Sequence, residues 1–226
     1  MKKVISLIAF LIAINTYSQT TISKSIGEFT DLKVFNGINV ELIKSDEQKV
    51  VITGEKAEKV KIKNSKNILR ISLKFPEINA DNKVDVKLYF KDKINVVDAN
   101  GGGNITSKNI EQLQLEVKAQ ERAFINLAIK VKHLKVKTTS GGIVKLSGSA
   151  KNQDVDLDLY GVYHGYNLNV TENTTIKAGL GTKAEIAAGE TLNAKVSFGG
   201  SILYTGNPEV IKDKKVVGGI IKKKGS

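Results

Sequence analysis

The 226-residue chain has no cysteine and no tryptophan, and only two prolines and two histidines. Without cysteine there is no disulfide framework, no thiolate nucleophile, no cysteine metal site and no lipid anchor of the lipoprotein type. A nucleophilic triad needs a histidine beside its serine. His133 and His164 are far apart in sequence, and neither lies in a nucleophile-elbow motif. Two distant histidines also make a weak zinc set. Only Arg70 and Arg122 could supply guanidinium groups. Pro76 and Pro208 leave most of the chain free to run as strand. Beyond the N-terminus, no apolar stretch is long enough to span a bilayer as a helix.

The N-terminus carries the clearest positive signal. Lys2 and Lys3 precede an apolar run from Val4 to Ile14, broken only by Ser6, and Thr16-Tyr17-Ser18 follows. This is the pattern of a secretory signal peptide, with cleavage expected after Ser18. The run falls short of the roughly 20 residues a spanning helix needs. An exported protein, periplasmic or extracellular, is therefore expected. The whole chain carries a net charge of +12; losing Lys2 and Lys3 would leave 33 basic against 23 acidic residues, or +10. Such a charge suits anionic lipid, acidic polysaccharide or nucleic acid, or simple solvation of a large β surface.

Almost every segment alternates apolar and polar residues, as in Val34 to Leu42, Leu69 to Leu73 and Val155 to Leu159. This is the period of a half-buried strand. Between about Gln19 and Asp92 the strand patterns are separated by short polar turns such as Ser45-Asp46-Glu47-Gln48. The later part repeats. Leu113 to Val117 is echoed by Leu134 to Thr138 and by Val155 to Leu159, with glycine corners at Gly141-Gly142, Gly161, Gly179 to Gly181 and Gly199-Gly200. A period near 20 with a corner per turn predicts a stacked solenoid. Aligning the copies places Glu116, Lys137, Asp158, Lys177 and Ser197 in one outward column and Leu115, Val136, Leu157, Ile176 and Val196 in one inward column. The expected fold is all-β: a right-handed parallel β-helix or β-solenoid with coils of about 20 residues, capped by an N-terminal antiparallel β region. The expected layout is a signal peptide at 1–18, a capping region at 19–92, the solenoid at 93–206 and a basic strand or tail at 207–226.

Phe35-Asn36-Gly37-Ile38-Asn39-Val40, the following Val50 to Gly54 strand, the Ser-Gly-Gly and Phe-Gly-Gly-Ser corners and Leu203 to Pro208 occur in an order that resembles the "putative auto-transporter adhesin, head GIN domain" family. The resemblance runs from about Val34 to Ile221. It implies an exported bacterial protein with a β-helical fold and an adhesin-type role.

Asp154, Asp156 and Asp158 form a D-x-D-x-D run. A calcium loop needs a glycine-kinked backbone that wraps the ion. Here the aspartates alternate with Val155 and Leu157, which puts them on one face of a strand beside Lys135 and Lys137 of the previous coil. A charge ladder is the expected outcome. The Asn100 to Asn104 loop lacks the Lys and Ser/Thr of phosphate-binding loops and reads as a corner. The basic segment Lys56 to Lys74 has no aromatic residue, so no nucleic-acid partner is expected. Tyr160-Gly161-Val162-Tyr163-His164-Gly165-Tyr166 holds half of the six tyrosines at a corner where other copies carry small residues. Rings with polar tips suit sugar faces and also ordinary core capping. Tyr160, Tyr163, His164 and Tyr166 are therefore the candidate ligand-binding residues, with glycans or envelope components as partners. No cofactor, metal or catalytic residue is expected. The leading function is a non-enzymatic adhesin or envelope ligand-binding scaffold; the alternative is a carbohydrate-active β-helix lyase or hydrolase.

Overall fold

The computed structural model describes residues 20–225, so the expected signal peptide lies outside the described residues. Among the described residues, alternation is realised as eighteen strands in one continuous sheet, with a single 3-10 turn at Ala57–Lys59. In chain order they are β1 (Ile22–Ser25), β2 (Asp31–Val34), β3 (Asn39–Lys44), β4 (Lys49–Thr53), β5 (Val60–Ser65), β6 (Ile68–Leu73), β7 (Asp85–Phe90), β8 (Val96–Ala99) and β9 (Asn104–Gln120). There follow β10 (Phe124–Thr139), β11 (Ile143–Leu157), β12 (Val162–Val170), β13 (Asn173–Ala178), β14 (Lys183–Ala187), β15 (Thr191–Ser197), β16 (Ser201–Thr205), β17 (Val210–Val216) and β18 (Ile220–Lys223).

β9, β10 and β11 are long because each bends to serve two walls of one coil. In β10 the bend falls where Lys132 and His133 both face solvent between buried Val131 and Leu134. The first wall continues through β12, β14, β16 and β18, all parallel. The second continues through β13, β15 and β17, also parallel. The result is a parallel β-solenoid of about seven turns with coils of roughly 19 residues.

Antiparallel pairs β1–β4, β4–β7 and β5–β6 cover the N-terminal end. The stack itself begins earlier than residue 93. β2 lies between β6 and β8, and β3 between β7 and β9, all parallel. The chain thus lays down an inner coil, runs out to the cap, and returns past that coil to continue the stack.

The inward columns form the core. Val97, Val117, Val136, Val155, Ile176 and Ala194 are successive neighbours and none is more than 1% exposed. Each fully buried branched side chain contributes about 1.5–3 kcal/mol. The column expected from a 21-residue repeat is corrected here. Lys137 pairs with Lys118 and Asp156, not with Glu116 and Asp158. Every inward residue of the expected column is buried, because a slip of two residues along a strand preserves which face each side chain takes.

Tight turns link the second wall to the first wall of the next coil. Ser140 (φ 51°) and Gly141 (φ 73°) stand between Thr139 and Gly142, whose N–H donates to the Thr139 carbonyl at 3.0 Å. Positive φ at both central positions is the type I′ arrangement. Gly142 is needed for a second reason: a Cβ there would lie 2.0 Å from the Ala119 carbonyl oxygen of the neighbouring coil.

At the C-terminal end, β17 places Ile211, Asp213 and Lys215 beside inward Leu192, Ala194 and Val196. Charges at inward positions of a terminal strand discourage a further strand from adding to the edge.

Candidate ligand-binding surface

The outer side of the second wall is a set of parallel polar columns. One column runs Lys33, Asp98, Lys118, Lys137, Asp156, Lys177, Lys195 and Lys214. Beside it runs Glu116, Lys135, Asp154, Thr175, Asn193 and Lys212. Neighbours in a column are about 4.8 Å apart, the strand spacing of any sheet. Lys135 stands beside Asp154 and Lys137 beside Asp156, as expected for the aspartate run.

At the N-terminal end of the first column, Asp98 is 2% exposed. It is satisfied by Lys33 Nζ at 3.2 Å, Asn100 Nδ2 at 2.8 Å and Gln120 Nε2 at 3.1 Å. Glu116 serves Lys118 at 3.3 Å, Lys137 at 3.5 Å and Lys135 at 3.9 Å. Further along, Lys177, Lys195 and Lys214 succeed one another with no acid between them in the column. Three adjacent like charges repel and create a positive potential that an anionic ligand would relieve.

Two shallow clefts lie on this wall. The first, of about 540 Å³, is lined by Lys118, Lys137, Asp156, Lys177 and Lys195 among others. The second, of about 510 Å³, is lined by planar polar groups that include Gln114, His133, Asn152 and Asn173. Asn173 Nδ2 donates to Asn152 Oδ1 at 2.7 Å, and Asn152 Nδ2 donates to Glu172 Oε2 at 3.1 Å. Lys151, 2.8 Å from Glu172, and then Asn152 hold that carboxyl below its ordinary range.

The four residues expected at the tyrosine corner do not form one surface. Tyr160 stands at the turn, 63% exposed, with its ring over Gly181. Tyr163 is fully buried and its hydroxyl donates to Gln153 Oε1 at 3.1 Å. His164 faces outward on the first wall, its Nδ1 2.7 Å from Glu185 Oε2. Tyr166 is half-buried, with Lys224 Nζ 4.4 Å from the ring centre. The ring placement follows from a bulge. Lys145 pairs with His164 and Ser147 with Asn167, so Gly165 and Tyr166 together oppose one residue. The extra residue lets Tyr166 turn outward although its parity with Leu168 predicts an inward side chain. Gly165 leaves the space that the Tyr163 ring occupies.

His133 and His164 lie on different walls, and no group of three or more metal-ligating side chains occurs among the described residues. The lysine column was hidden in the sequence by the 21-residue alignment. Matching the turn glycines Gly142, Gly161, Gly200 and Gly219 instead would have revealed it.

The family model "Putative auto-transporter adhesin, head GIN domain" matches residues 28–208. The chain belongs to this head GIN domain family. Solved structures share the fold at low identity. A putative adhesin from Bacteroides fragilis is 19% identical, with TM-score 0.83, covering 92% of this chain and 98% of the other. A putative adhesin from Parabacteroides merdae is 18% identical, with TM-score 0.71 and coverages of 92% and 97%. One from Parabacteroides distasonis is 20% identical, with TM-score 0.63 and coverages of 91% and 96%. A comparison with curated protein sequences found no match. Head GIN domain membership supports an adhesin-like role.

Proposed function

We propose that this protein is an exported, non-enzymatic scaffold that binds an acidic glycan or envelope polymer along the second wall of its solenoid. The observation that carries this reading is the run Lys177, Lys195 and Lys214, which continues in the same column past Asp156 to Lys137 and Lys118. Its repeat of about 4.8 Å is close to the length of one pyranose unit, so an extended polyanion lying along the axis meets one cation per sugar over Lys177, Lys195 and Lys214. The amide groups of Gln114, Asn152 and Asn173 flank this track and can donate to and accept from hydroxyls. The rigid stack keeps these groups in place, which limits the ordering cost of binding.

The test is calorimetry with polygalacturonate and with neutral dextran, at low and high salt. Binding of the acidic polymer is expected, weakening as salt rises. Lys177→Gln with Lys195→Gln should weaken it severalfold, whereas Lys130→Gln with Lys145→Gln, equal in charge but off this wall, should not. Equal loss in both double variants would reduce the effect to net charge. Chain shortening of any polymer in a glycan panel would favour the lyase or hydrolase alternative.

A further inference from the structure

The turns between the walls form a second, distinct surface, and its chemistry changes along the axis. The first turn residue is Gly101, Glu121 and Ser140 in the early coils, then Leu159, Leu180, Phe198 and Val217 in the later ones. Successive turns are joined by backbone hydrogen bonds: Gly141 to Leu159, Tyr160 to Leu180, Gly181 to Phe198 and Gly199 to Val217. The four later side chains therefore line up as one ridge. They are 43%, 41%, 59% and 72% exposed, and Tyr160 adds a further exposed ring. Leu159, Phe198 and Val217 occupy positive φ of 44°, 50° and 35°. Glycine and asparagine fit such positions without strain, and a β-branched residue there is rare. Large apolar side chains held in water on strained turns, in a row, mark an interaction surface.

Lysines accompany the ridge in register. Lys177, Lys195 and Lys214 each lie three residues before Leu180, Phe198 and Val217. On the other side, Lys183 follows Leu180 at the start of β14, and Lys222 lies in β18 beyond Ile220, which is itself 54% exposed. A convex apolar ridge with cations along both flanks fits the boundary layer of an anionic membrane. Its side chains enter the acyl region while the lysines stay among the headgroups. A second copy of the chain fits poorly, because symmetric pairing would set the lysine columns against each other. We infer that the turn ridge Leu159–Leu180–Phe198–Val217 docks this protein on the surface of an anionic phospholipid bilayer. The apolar ridge lies beside the polar wall and shares with it only the bordering Lys177, Lys195 and Lys214, and the inference does not depend on the glycan reading.

The chain has no tryptophan, so a single one reports its own position. Phe198→Trp, and Leu113→Trp at a different, exposed bend, should be titrated with vesicles of phosphatidylcholine containing phosphatidylglycerol and with pure phosphatidylcholine. A blue shift is expected for Phe198→Trp with the anionic vesicles, smaller at high salt, and none for Leu113→Trp. Leu180→Ser with Phe198→Ser keeps every lysine and should lower vesicle partitioning by about tenfold or more, roughly 1.4 kcal/mol per factor of ten, with the thermal melt no lower. Partitioning equal to wild type in that variant would overturn the inference. So would absence of binding to anionic vesicles at low salt, or a ridge-dependent dimer that forms without lipid. Loss of polygalacturonate binding with vesicle binding intact would leave it standing.

Discussion

The Tyr163 hydroxyl donates to Gln153 Oε1 at 3.1 Å inside the solenoid, and Gln153 Nε2 donates onward to Thr174 Oγ1 at 3.1 Å and to the Ala187 carbonyl at 3.2 Å. Gln153 and Thr174 stand where other coils place aliphatic residues such as Leu134 and Leu192. The tyrosine and this buried amide explain each other. A phenol in the core needs an acceptor, and a buried amide needs partners on both its atoms.

Removing the hydroxyl leaves Gln153 Oε1 without its donor. Tyr163→Phe should therefore lose about 1–3 kcal/mol of stability, the cost of a buried polar atom left unpaired. Burial pushes the Tyr163 phenol well above its ordinary value of 10.0. The folded state then holds a proton that the unfolded chain releases, so stability falls as pH rises above about 10. In denaturant melts across the alkaline range, Tyr163→Phe should show a shallower decline than wild type.

The register makes a separate claim about faces. Leu157 is 1% exposed, whereas Asp156 faces outward beside Lys137 and Lys177. Leu157→Asp should cost more than about 3 kcal/mol, because it buries an unpaired charge. Asp156→Asn should change stability by no more than about 1 kcal/mol, as for other exposed pairs. Comparable losses in thermal melts would show that the faces are misassigned.

Two turn glycines should respond differently to the same substitution. Gly142→Ala meets the Ala119 carbonyl oxygen of the adjacent coil, so the coils must separate locally. Gly199→Ala meets nothing within 4 Å and carries only the strain of its φ of +73°. The second should lose about 1 kcal/mol and the first clearly more. In the opposite direction, Phe198→Asn relieves a left-handed strain and should raise the melting temperature.

Glu185 supplies a titration. The hydrogen bond from His164, and then that from Lys183, hold its carboxyl below the ordinary 4.5, against the opposing effect of burial. A depressed folded value means this contribution is present above pH 4.5 and is lost as pH falls through the folded value. By NMR, the Glu185 carboxyl should titrate below 4.5 in the wild-type protein and move upward in His164→Ala. An unchanged midpoint would mean that the 2.7 Å contact does not form in solution.

Strand content, the repeat, the glycine corners and the division of each strand into inward and outward residues were legible in the amino-acid sequence alone. Alternation of period two records burial directly, because neighbouring side chains on a strand take opposite faces. Those same patterns could not settle which residue stands beside which. A slip of two residues moves Asp158 into the place of Asp156 yet leaves every Leu, Val and Ile facing the core. The choice was made by the backbone at the turns, where only a glycine at 142 fits against Ala119 and where successive turns bond to one another. Nor could alternation foresee the bulge at Gly165-Tyr166, which lets Tyr166 turn outward while Tyr163, in register with buried Val144, stays in the core. A bulge arises from pairing with the neighbouring coil. The lysine column and the apolar ridge are likewise properties of the stack, since their members lie some 18 to 21 residues apart and become neighbours only when the coils close on one another.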